Sequence, residues 1–248
     1  MIFITGDTHG DFDRFEPAVF PEQKGLTKED YVIICGDFGI WHDTPRERKR
    51  LDWLDGLPFT TLFIDGNHEN YDRLNALPVE DWHGGKIQRI RSSVLHLMRG
   101  HMFDIGGKRF FAMGGAACHD VDDGILNPAD PDFEARRHAL ERQGRDFYRV
   151  KGLSWWADEL PSEAEYQTAR ETLNRCGWKA DYILTHCAPS VINNVMRAGD
   201  YPPNRLTDFL EEVRGRCAFD FWFFGHYHRN ISAGEQHVCL YEQIIELP

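Results

Sequence analysis

The sequence predicts an α/β fold, on three observations. Short runs rich in Ile, Val and Phe alternate with amphipathic segments. Several of those runs stop abruptly on Asp, Asn or His. With 42% hydrophobic and 13% aromatic residues, the 248-residue chain is globular and long enough for a substantial core.

The elements follow in order. Strands are expected over 1–5, 31–35, 60–64, 86–91, 94–98, 102–105, 109–113, 181–185, 220–224 and 237–246. The stretch HMFDIGGKRFFAM reads as a hairpin turning at Gly106-Gly107. Helices are expected over 11–18, 45–56, 162–176 and 206–216. Ser162 and Glu165 form a capping box at the start of the third, and Gly177 offers a stop. Residues 118–160 are polar and irregular, with a short helix expected over 133–143. A loop that long within a compact domain is usually functional, so it reads as a lid or substrate-loop insertion. No linker composition, low-complexity tract or solenoid repeat divides the chain, which reads as a single domain over 1–248.

The formal net charge is -12. That balance disfavours duplex nucleic acid as partner, because such a binder needs a basic footprint. It leaves phosphorylated small molecules open, since bound divalent cations invert the local field. Six cysteines form no C-x-x-C pair and read as reduced, mostly buried thiols. The first apolar run meets Asp7 within a few residues, too soon for a signal-peptide core, and no run approaches a membrane span. A soluble, cytoplasmic protein is expected. The basic run RERKR at 46–50 reads as a solvated helix face, and FWFF before Gly225 as core strand. Trp155-Trp156 reads as core with one ring near the site.

The chemistry lies where strands end. Ligands of an α/β sheet bind beyond the carboxyl ends of its strands. There the chain places Asp7 and His9, Asp37, Asn67 and His68, His186, and His226 and His228. Glycine directly follows the strand in most of these cases, allowing a sharp turn and close approach to a shared centre. In Asp7-x-His9 and His226-x-His228 the two side chains face one way if the chain stays extended. Carboxylate, imidazole and amide oxygen without thiolate suit Mn, Fe or Zn better than a structural cysteine-rich site. So many candidates exceed one tetrahedral ion and suit two ions sharing a carboxylate, ~3.5–4 Å apart.

The ordered series GDTHG, GDFG, GNHE, THC and GHYH resembles the calcineurin-like metallophosphoesterase superfamily, from residue 5 to residue 228. The resemblance implies a four-layer αββα sandwich around two mixed sheets, with a dinuclear metal site at the strand-end loops. It implies that Asp7, His9 and His228 hold one cation, that Asn67, His186 and His226 hold the other, and that Asp37 bridges them. His68 then stands beside the leaving group as general acid. The activity implied is hydrolysis of a phosphate mono- or diester by a hydroxide bridging the two ions.

The chain departs from the Ser/Thr protein phosphatase branch, where the second motif continues Gly-Asp-x-x-Asp-Arg-Gly. Ile40 replaces the aspartate that orients the acid histidine, and Trp41 replaces a phosphate-clamping arginine. An indole cannot do the work of a planar guanidinium. Asp43, Glu69 and Asp72 are local candidates for orienting His68. Arg73, His119 and Asp120 are candidates for substrate contact, and Arg136, Arg137, Arg142 and Arg145 for a lid or a solvated helix face. The expectation is a phosphoesterase acting on a small nucleotide or other small phosphate ester. The alternatives are a protein phosphatase or a non-catalytic scaffold.

Overall fold

The computed structural model describes residues 1–197 and 202–247. In chain order the strands are β1 (Ile2–Thr5), β2 (Tyr31–Cys35), β3 (Thr60–Ile64), β4 (Val79–Trp82), β5 (Gly85–Arg91), β6 (Val94–Leu97), β7 (His101–Ile105) and β8 (Lys108–Met113). They continue as β9 (Gly124–Leu126), β10 (Tyr148–Val150), β11 (Tyr182–Thr185), β12 (Phe221–Phe224), β13 (Ile231–Ser232), β14 (His237–Cys239) and β15 (Ile245–Glu246). Six α-helices are found among the described residues: α1 (Pro45–Asp55), α2 (Tyr71–Asn75), α3 (Phe133–Arg142), α4 (Glu163–Arg175), α5 (Ser190–Arg197) and α6 (Arg205–Arg216).

Two large mixed sheets carry the fold. One has seven strands in the order β15-β1-β2-β3-β6-β5-β4, the other six in the order β13-β14-β12-β11-β8-β7. The strands that matter most lie side by side and parallel: β1, β2 and β3 in the first sheet, β11 and β12 in the second. Their carboxyl ends therefore emerge together.

Strand side chains alternate, so each sheet has two apolar faces to cover. Ile4, Ile33 and Leu62 of the first sheet share one buried cluster with Phe110, Leu184 and Phe223 of the second. The other face of the first sheet, with Phe3, Val32 and Phe63, packs on Leu51 and Leu54 of α1. That of the second, with Phe111, Ile183 and Trp222, packs on Leu173 of α4 and Leu210 of α6. No helix of the described residues is long and apolar enough to cross a membrane.

Local chemistry accounts for most elements. Thr44 caps α1 through the Glu47 N–H, with Pro45 in its first turn, and Ser162 and Glu165 form the full capping box of α4. The β7–β8 hairpin turns at Gly106 and Gly107, both at positive φ. Two expectations fail. A helix over 11–18 is replaced by one 3-10 turn at Asp13–Phe15, because Glu16 precedes Pro17 and is extended, with ψ 141°. A single strand over 237–246 is replaced by β14 and β15, because the chain crosses between the sheets there: β14 pairs with β12, β15 with β1. The helices α2 and α5 and the strands β4, β9, β10 and β13 are short elements that the sequence patterns do not announce. Residues 118–160 hold β9, α3 and β10, and the two strands pair in parallel across the helix.

Candidate metal centre

The five strand ends converge as their register requires. Four of the side chains, from Asp7, His9, Asp37 and His228, place one ligand atom each within 4.8 Å of one another. His228 Nε2 lies 3.1 Å from Asp7 Oδ2, and His9 Nε2 lies 3.9 Å from Asp7 and 3.8 Å from Asp37. On the other side of Asp37, His186 Nε2 stands 3.2 Å from Oδ1. The His186 ring lies 5.0 Å from that of His226, and His226 lies 5.3 Å from His119.

Backbone groups lock this arrangement. The N–H of Thr8 and that of His9 both donate to the Asp37 carbonyl, the His68 N–H donates to Asp37 Oδ1 at 2.8 Å, and the His226 N–H donates to Asp7. Four of these residues adopt the left-handed region disfavoured outside glycine: His9 at φ 48°, Asp37 at 47°, His226 at 69° and His228 at 49°. Strain of that kind persists only where the surroundings over-determine it. Gly66 and Gly225 are needed for close approach, since a Cβ would fall 2.1 Å from Asp37 Oδ1 and 2.0 Å from Asp7 Oδ1.

Among the candidate ligands, two buried polar atoms have no hydrogen-bond partner, Asn67 Oδ1 and His186 Nε2. The latter faces Asp37 out of hydrogen-bond alignment, while its Nδ1 is fixed by the Cys35 carbonyl at 2.8 Å. An orphaned buried acceptor costs about 1–3 kcal/mol, and a cation is the partner that both atoms fit. Oxygen and imidazole donors without thiolate suit a divalent ion of intermediate softness.

The electrostatics agree. Burial pushes the Asp37 carboxyl up, but His186, His68 and His9 outweigh it and hold it far below the usual carboxylate range. Burial likewise lowers His186, yet Asp37 and Asp7 push it up to about 10. Burial, reinforced by His186, holds His226 well below the ordinary imidazole value, and burial lowers His9 against the pull of Asp37 and Asp7. The hydrogen bond to Asp7 raises His228. The carboxylates of Asp37 and Asp7 thus favour positive charge at His186 and His228, which a cation held there would supply instead.

The remaining expected residues are placed as follows. His68 lies at the edge of the cluster, its ring 5.6 Å from that of His9. None of the three local candidates meets it: Asp43 pairs with Arg48 and Arg73, Asp72 accepts the Trp156 indole N–H, and Glu69 accepts the N–H groups of Phe38, Gly39 and Ile40. The carboxylate nearest His68 Nε2 is that of Asp120, at 3.9 Å, and Asp120 is itself paired with Arg149. Arg73 is not brought to the cluster; Glu47 and Asp43 hold it. Of the arginines in 118–160, Arg136, Arg137 and Arg145 pair with local acids, and Arg149 is the one that reaches the site. Trp156 is both core and pocket wall.

Three partners escaped the sequence reading. Arg149 lacks any motif around it. Tyr241 stacks on His228 at 4.6 Å with planes 18° apart. Arg14 donates to the carbonyls of Asp7 and Gly6 and to Thr5 Oγ1, fastening the end of β1 from beneath. An arginine within DFDRF carries no spacing signal that would have found it.

Fold and cluster together define an α/β protein with a candidate metal site at its strand ends. The chain belongs to the calcineurin-like phosphoesterase family, whose profile matches residues 1–230. It is similar to the human lariat debranching enzyme, at 22% identity over 95% of this chain and 43% of that protein. The Schizosaccharomyces pombe lariat debranching enzyme is 23% identical over 94% of this chain and 49% of its own length. A shorter match, 31% identical over 33% of this chain and 18% of the other, is to lariat debranching enzyme A of Xenopus laevis. The chain thus spans less than half the length of these curated relatives. A solved protein of unknown function from Aquifex aeolicus matches at 18% identity over 64% of this chain and 81% of its own, with a TM-score of 0.28.

Proposed function

We propose that this chain is a dinuclear metal-dependent phosphoesterase that hydrolyses a phosphate mono- or diester, with a small nucleotide or other small phosphate ester as substrate. The reading rests on one observation: Asp7, His9, Asp37 and His228 from three separate segments gather within 4.8 Å. Family membership supplies the reaction class.

Asp7, His9 and His228 would hold one divalent cation, Asn67, His186 and His226 the other, and Asp37 both, with Mn, Fe or Zn as the ions. Such a pair supplies positive charge for the phosphate and acidifies bound water to ionise near pH ~7. His68 donates its proton to the departing oxygen, help typically worth ~10²–10⁴ in rate. His119 and Asp120 stand beside the phosphate, Asp120 keeping the His68 ring in place. The segment 118–160 serves as the substrate loop through Asp120 and Arg149. The clusters on each side of the two sheets support a four-layer αββα arrangement in one domain, and the cytoplasm suits its free thiols.

A protein phosphatase is disfavoured by Trp41, whose indole N–H donates to the His68 carbonyl where a clamping arginine would be required. The names of the relatives favour a diester, and the net charge of -12 weighs against a large nucleic-acid substrate. The test is hydrolysis of p-nitrophenyl phosphate and of its bis-ester under Mn²⁺, Fe²⁺, Zn²⁺ and Mg²⁺. Turnover of either with one of these ions is expected. Inactivity on both, with two cations bound per chain, would make the protein a scaffold.

A further inference from the structure

Two depressions border the cluster and share Trp41 and His42 as a common wall. The first, about 190 Å³, opens beside His68 and Asn67. The second, about 530 Å³, opens beside His9. Their linings differ in kind.

The smaller slot is walled by Trp41, Trp156 and Leu153. Both indole N–H groups are already used, Trp41 on the His68 carbonyl at 2.8 Å and Trp156 on Asp72 at 2.9 Å. The rings are thereby held in fixed orientations and keep only π surface and edge for a ligand. Two charged groups at its rim are engaged: Arg149 through one terminal nitrogen by Asp120, and Glu69 by three backbone N–H groups. Arg149 Nε and the His68 ring remain as polar groups at the rim, while the walls themselves offer contact to a ring rather than to a phosphate. A cavity on the order of 150 Å³ accommodates benzene, so this one has room for a flat ring system. The larger groove is polar, with Arg50 on Asp13 at 2.7 Å and with Arg46, which forms no ion pair among the described residues.

We infer that the substrate is a phosphodiester with two arms: a planar ring of the nucleobase class on the leaving arm, lying in the slot of Trp41, Trp156 and Leu153, and a polar second arm in the groove of Arg46 and Arg50. His68 assigns the sides, since it lines the slot and His9 lines the groove. This rests on the phosphoesterase reading and deepens it, because a monoester would leave one depression without an occupant.

The test uses two diesters with alkoxide leaving groups, the dinucleotide adenylyl-adenosine and the methyl ester of adenosine monophosphate, and the monoester itself. Leu153 is 57% exposed and Arg46 lies on the outer face of α1, so Leu153→Asp and Arg46→Glu are compatible with folding. The wild type should show a KM at least tenfold lower for the dinucleotide than for the methyl ester. Leu153→Asp should abolish that ratio. Arg46→Glu should raise both KM values and preserve the ratio. A ratio near one in the wild type, a ratio untouched by Leu153→Asp, or preference for the monoester would overturn the inference. Equilibrium dialysis of the dinucleotide against both proteins reads the slot without turnover. A tenfold loss of binding in Leu153→Asp supports the slot even where no ester is cleaved, an outcome that sinks only the hydrolytic reading. Unchanged binding sinks the slot. A longer adenylate oligomer, bound no more tightly than the dinucleotide, would identify a small-molecule substrate within the same chemistry.

Discussion

His68 differs from its neighbours in that its backbone and its ring do separate things. The N–H braces Asp37, while the ring projects past His9 towards Asp120. Substitution removes the ring and leaves the brace. His68→Ala should therefore lose ~10²–10⁴ in kcat on substrates with poor leaving groups and still bind its cations; elemental analysis showing metal loss in that variant would refute the assignment. A second side chain tests burial alone. Glu159 is 2% exposed, its Oε1 has no hydrogen-bond partner, and burial pushes its carboxyl up to about 8. Between its ordinary value near 4.5 and about 8, the folded chain holds a proton that the unfolded chain releases. Stability should then fall as pH rises through that window, by at most about 1.4 kcal/mol per pH unit from this group. Glu159→Gln should match the wild type near pH 4.5 and exceed it at pH 8 in urea denaturation. Parallel pH profiles for the two proteins would show that Glu159 is ionised throughout. Neither Glu159 nor the approach of Asp120 to His68 is visible in the sequence, because both depend on where residues 118–160 fold back.

The strand ends were legible for a physical reason. An apolar run that stops on glycine and then a ligand residue encodes both a buried strand and a turn too tight for a Cβ. At Gly66 the clearance is extreme, with a Cβ 2.4 Å from the Asp37 backbone nitrogen as well as 2.1 Å from its carboxylate. Gly66→Ala should displace Asp37 and abolish cation binding by calorimetry, while far-UV circular dichroism keeps the wild-type shape. Retained stoichiometric binding would mean that the loop yields more easily than its packing implies. The capped helices were legible too, since a Ser-x-x-Glu box satisfies orphan N–H groups wherever it occurs. Ser162→Ala should cost about 1 kcal/mol by denaturation without altering cation binding. What could not be read were elements defined by pairing rather than by period. The three-residue strands β9 and β10 are too short to show alternation, and the 237–246 run divides because its halves serve different sheets.

Across the whole molecule, the cluster joins residues drawn from both sheets and far apart in the chain, as the His9–His228 contact across 219 residues shows. The fold places Asp7 and Asp37, both buried, within reach of each other and holds four of the candidate ligands at positive φ. Each such conformation costs of order 1 kcal/mol or more, and paired anions in a dry site repel. The packed sheets bear those costs through the clusters on their faces, and cations would offset them by tying the first sheet to the second. Ligand that binds only the folded state stabilises by about 2.7 kcal/mol at a hundredfold excess over Kd. For a chain of this length that corresponds to a rise in Tm of roughly 5–10 °C. Saturating Mn²⁺ or Zn²⁺ should produce such a rise in calorimetry, and chelation should reverse it. Asp37→Ala should abolish the rise, because it removes the carboxylate that the His9 and His186 rings both approach. A Tm indifferent to complete metal removal would mean that the apolar clusters alone hold the sheets in register and that the strain at the strand ends is carried without help from any ion.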